Sequence, residues 1–165
     1  MAPLFARLRG SHWRAAALAA SVLIFVGATD LQAQACASGS GRYTLSVQPQ
    51  LVAFPIPSLA DFETGWIASA PVSIRVRPRG NANFAWALCV RSDDPDMGGY
   101  GKPISDLEWR AAGQSAWQAM NGANQLVSTG YKGDEVDVEL RVRLDFDRDV
   151  PDTYSAVVVF ETARL

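Results

Sequence analysis

Residues 135–146, EVDVELRVRLDF, alternate without interruption between apolar and charged side chains. Val136, Val138, Leu140, Val142, Leu144 and Phe146 fall at every second position, with Asp137, Glu139, Arg141, Arg143 and Asp145 between them. A period of two places all the apolar side chains on one face of an extended strand, whereas a helix would scatter them around its circumference. At about 3.4 Å per residue the run would reach roughly 40 Å. One face suits a core and the other suits water, which is how antiparallel sheets read. The polar face mixes both signs of charge, so it focuses no field on a partner and reads as a solvated wall with cross-strand ion pairs. Function has to be sought elsewhere in the chain.

The N-terminus reads as an export signal. Arg7, Arg9 and Arg14 precede an apolar run from Ala15 to Ala28, and Ala33-Gln34-Ala35 offers a small-x-small cleavage site. The run is too short to span a bilayer comfortably, which takes about 20 residues. Residues 1–35 are therefore expected to form a signal peptide with a helical core. Residues 36–42 form a Ser/Gly-rich lead-in, and 43–165 a single domain large enough to bury a core. The formal net charge is −2 for the whole chain, and removal of the signal makes the remainder more acidic. That balance argues against nucleic acid and anionic membranes as partners, and no later segment is long and apolar enough to cross a membrane. The two cysteines, Cys36 and Cys89, are expected to pair in an oxidising compartment, closing a long loop worth about 2–4 kcal/mol. The rival fate is lipidation of Cys36 as the first mature residue.

Short alternating runs fill the domain. Tyr43, Leu45 and Val47 mark a first strand, which Pro49, Pro55 and Pro57 interrupt. Residues 58–69 read as an irregular connection. Val72, Ile74 and Val76, then Phe84, Trp86, Leu88 and Val90, give two strands around the turn PRGNAN, expected to pair as a hairpin. SDDPDMGGYGKP, 92–103, is an acidic, Gly-rich loop. Further strands are expected near 104–110, 116–119 and 125–129, then the long run 135–146 and a last strand over 154–162. Strands at this spacing, with no helical period, predict an all-β antiparallel sandwich of immunoglobulin-like type. Tyr154, at the start of the last strand, suits a corner in which its hydroxyl bonds back to preceding backbone.

Catalytic chemistry has little to work with. The only histidine, His12, lies in the signal, which removes histidine-based catalysis and histidine metal ligands from the exported chain. Asp145, Asp147 and Asp149 open like a calcium loop, but Val150 and Ala156 stand where that loop needs Gly and Glu. These aspartates, and Asp93, Asp94 and Asp96, read as turn residues. The expectation is a non-enzymatic protein with no metal and no cofactor. Trp109 and Trp117, in the polar stretch LEWRAAGQSAWQAM, and Tyr100 are the candidates for stacking on a ligand, a carbohydrate before other small ligands. Core packing is the competing explanation for the tryptophans.

The closing segment VPDTYSAVVVFE, the two cysteines, the export signal and the all-β plan together resemble bacterial pilin-like domains of the spore coat protein U and chaperone–usher group. The resemblance implies an immunoglobulin-like fold lacking one strand, which a partner's N-terminal extension supplies. It implies an exported structural or interaction protein of the periplasm or cell surface. The alternative is a carbohydrate- or small-ligand-binding module. The last strand is apolar on both faces through Ala156, Val157, Val158, Val159 and Phe160, so it needs a cover. The first strand of the same chain is the expected cover, favoured by effective concentration, and the same run from a second copy is the other candidate.

Overall fold

A computed structural model describes residues 35–36, 43–81, 84–98, 100–150 and 152–165. The expected signal peptide, apart from Ala35, and lead-in residues 37–42 lie outside the described residues.

The described chain is an all-β sandwich of two antiparallel sheets, as the alternation predicted. Its strands are β1 (Tyr43–Gln48), β2 (Trp66–Ala68), β3 (Val72–Pro78), β4 (Ala85–Ser92), β5 (Leu107–Ala111), β6 (Gln118–Ala119), β7 (Gln125–Tyr131), β8 (Asp134–Arg143) and β9 (Val158–Arg164). The larger sheet runs β1-β3-β8-β5-β6, with β2 also paired to β8. Because β5 occupies one side of Val142, β2 must lie on the other, in line with β3. The smaller sheet is β7-β4-β9.

The core forms where inward parities meet. Val72, Ile74 and Val76 of β3, Val138, Leu140 and Val142 of β8 and Leu107 and Trp109 of β5 face Trp86, Leu88 and Val90 of β4. All of these are buried, each aliphatic side chain contributing about 1.5–3 kcal/mol relative to exposure. Trp86 lies directly opposite Gly130 in the β4–β7 ladder and donates its indole N–H to the Lys132 carbonyl at 2.6 Å. A Cβ at position 130 would stand 2.2 Å from the indole, so only glycine admits the ring there.

Several expectations change, among them the start of the last strand, which is Val158 rather than Tyr154. β3 and β4 do not form a hairpin. The chain crosses between sheets from Pro78 to Ala85, and the two strands face each other across the core. Alternation cannot separate these arrangements, since both bury the same side chains. The long strand stops at Arg143. Asp145 turns the chain by accepting the Asp149 N–H on its carbonyl, and Phe146 swings out to meet Phe62 edge-on at 5.6 Å. Residues 58–69 are not irregular. Ser58 caps a short helix, α1 (Leu59–Thr64), in a capping box with Asp61, and Gly65 ends it at φ 81° before β2. Ser58-x-x-Asp61 was the legible signal for it.

Loops are tied by polar groups. The Tyr154 hydroxyl donates to the Val150 carbonyl at 2.6 Å and accepts from the Val150 N–H at 3.2 Å, forming the expected corner. Lys102, 4 % exposed, reaches Asp149 at 2.6 Å and Asp106 at 3.2 Å, locking the 93–103 loop to the 144–149 turn. Cys36 and Cys89 form a disulfide on the outer face of β4, packed with Ala87 and Ala163.

Candidate functional site

Two surfaces carry features that folding alone does not use. The first is the seam between β1 and β9. The β1 strand folds back within its own domain, but onto β3, in register from Tyr43 opposite Pro78 to Gln48 opposite Ser73. Tyr43 also donates its hydroxyl to the Phe84 carbonyl beside β4, clipping the start of β1 to the smaller sheet. The expected cover of the last strand is therefore committed elsewhere. On its inner side β9 pairs with β4, Val158 opposite Ser92 and Phe160 opposite Val90. Just upstream, Val157 donates its N–H to Asp94 at 2.6 Å and Ser155 donates to the Met97 carbonyl at 2.9 Å, again toward the β4 side. Among the described residues no strand pairs with the other side of β9. The side chains along the seam are correspondingly half-buried: Leu45 and Val47 of β1, Val52 and Phe54 beyond it, and Ala156, Val158 and Phe160 opposite. Val157 is 56 % exposed.

The second surface is the outer face of the larger sheet. Outward parity on β5 and β8 gives Glu108, Arg110, Glu139, Arg141 and Arg143. Arg110 pairs with Glu139 and Arg141 with Glu108, each at 2.5 Å. Trp117, just before β6, lies across both arginines, its ring centre 4.4 Å from the Arg110 guanidinium and 4.3 Å from that of Arg141. On the other side, Arg141 lies 5.6 Å from the ring centre of Trp66, which is 41 % exposed.

The aromatic candidates separate. Trp109 is fully buried and donates its indole N–H to Gln125 at 3.3 Å. Trp117 lies on the outer face. Tyr100 is 71 % exposed on the 93–103 loop and makes no ring contact with either tryptophan among the described residues. Trp66, which sequence reasoning left in a connection, joins Trp117 instead; a three-residue strand is too short to show a period. The turn carboxylates are spent on local bonds. Asp145 accepts from the Asp147 N–H at 3.0 Å and pairs with Arg148, which holds its carboxyl below the usual range; Asp96 accepts from the Gly98 N–H at 3.1 Å. No helix among the described residues is long and apolar enough to cross a membrane.

The fold and these surfaces define an all-β sandwich stapled by a disulfide. Compared with known proteins, no family model, no curated protein and no solved structure matches the chain.

Proposed function

We propose that this is an exported, non-enzymatic structural or interaction subunit of the bacterial periplasm or cell surface, a pilin-like protein whose β9 seam accepts an extended segment from a partner chain. The observation that carries the reading is the seam: a strand with one side open among the described residues, above a core whose last apolar side chains are only half covered. An inserted strand would bond to the β9 backbone and bring alternate apolar side chains down onto Leu45, Phe54, Val158 and Phe160. The Cys36–Cys89 disulfide is consistent with export to an oxidising compartment.

Hydrogen exchange on the purified exported protein tests this. In the isolated chain, alternate amides from Val158 to Glu161 should exchange fast. A peptide spanning Gly39–Pro49, which carries the apolar alternation of β1, should protect them and raise the melting temperature. Full protection of every β9 amide before any peptide is added would mean that the chain closes its own seam, and the reading fails.

A further inference from the structure

The outer face of the larger sheet holds a row of stacked groups, Trp66, Arg141, Trp117 and Arg110, that the seam does not involve. A solvated sheet face needs no tryptophan, and this one presents two, joined through one guanidinium. Their ring centres are therefore no farther apart than the sum of their distances to Arg141. Ion pairs to Glu108 and Glu139 fix both stacked arginines, so the row is ordered before any ligand arrives. Arg143 lies directly opposite Trp66 in the β2–β8 ladder, on the same face. It is exposed and has no ion pair among the described residues, leaving one cation in excess beside the outermost indole.

We propose that this row is a binding platform for an acidic polysaccharide, a chain of uronic acid residues. The apolar face of a sugar ring stacks on an indole as other flat ligands do. Glu108, Glu139 and the guanidiniums offer acceptors and donors for ring hydroxyls. The match to an acidic sugar is local, made by one guanidinium on a chain that is acidic as a whole: the unpaired Arg143 fits a uronate carboxylate in charge and in its two-pronged geometry, whereas the face as a whole draws no polyanion by long-range field. The row lies on the open outer side of a sheet, which suits an extended polymer lying across both indoles over a single small ligand. Trp117 was one of the stacking candidates read from the sequence, while Trp66 and Arg143 add what sequence did not indicate.

The test is calorimetric titration of the purified full-length exported protein with polygalacturonate oligomers, with cello-oligosaccharides of equal length as the neutral probe and tryptophan fluorescence as a second readout. Binding of the acidic oligomer is expected, with quenching of fluorescence. Trp66→Ala should weaken it about tenfold or more. Arg143→Gln, at an exposed position that leaves the fold intact, should weaken it several-fold and reduce its dependence on salt. Trp66→Phe, which keeps a flat ring, should restore most of the affinity lost in Trp66→Ala. Absence of binding at millimolar oligomer, equal affinity for the neutral oligomer, or acidic binding that survives both Trp66→Ala and Arg143→Gln would each overturn the proposal. The platform and the β9 seam lie on different surfaces, so exchange at β9 reads one and this titration the other.

Discussion

Gly130 illustrates how a single residue sets the packing around it. Its missing side chain is the space into which the Trp86 indole settles, and the Trp86 N–H then closes on Lys132. Gly130→Ala should destabilise the protein by about 1–3 kcal/mol through overpacking, read as a lower urea midpoint at unchanged slope. Combining it with Trp86→Phe, whose smaller ring leaves room, should cost less than the two single changes added together. Additive losses would mean that the two residues do not press on one another. Lys102 makes the opposite kind of site, a buried cation whose charge is met by the buried Asp106 and the half-buried Asp149; without these two carboxylates its desolvation would go uncompensated.

At the level of elements, β8 shows what alternation reports and where it stops. Val138, Leu140 and Val142 are buried as expected, but Glu139 and Arg141 on the outer face are half-buried under Trp117 and their ion pairs. Leu140→Ala should cost about 2–5 kcal/mol. Arg141→Ala should cost roughly 1 kcal/mol, because it loses a stacked ring as well as Glu108, and Arg143→Ala should stay within about 0.5. Thermal melts of the three variants check that order; equal costs at 141 and 143 would remove the energetic meaning of the stack. The strands β1, β3 and β8 were legible because each is half-buried, so its sequence records which face is wet. Which strand pairs with which was not, since β3 and β4 carry the same pattern side by side or face to face. The candidate platform was half legible for a related reason. Trp117 stood out in a polar stretch, but Trp109 shares the inward parity of Leu107, and the place of Arg143 beside Trp66, next to two arginines already held by Glu108 and Glu139, emerges only once the register of β2, β5 and β8 is known.

Across the whole molecule, one covalent link holds Cys36 to β4 and one ladder holds the C-terminal strand β9 to it. The disulfide joins residues 53 apart in sequence, and restricting the unfolded chain in this way is worth roughly 4 kcal/mol in the loop-entropy account. Reduction should therefore lower the melting temperature by well over ten degrees while the folded protein, once re-oxidised, recovers its original transition. A melt insensitive to reductant would show that the bridge does not restrain the denatured chain.

The same strand has a mechanical consequence. Cys89 is bonded to Cys36 and stands opposite Glu161 in the ladder with β9, and the Leu165 N–H closes on the Ala85 carbonyl at the far end of β4. A pull applied between residues 36 and 165 would find a direct route through the sulfur bridge into β4 and out through the β9 hydrogen bonds. A protein tethered at those two points would concentrate tension on the β4–β9 ladder, a pair of strands in the sheet that does not bear Trp66 and Trp117.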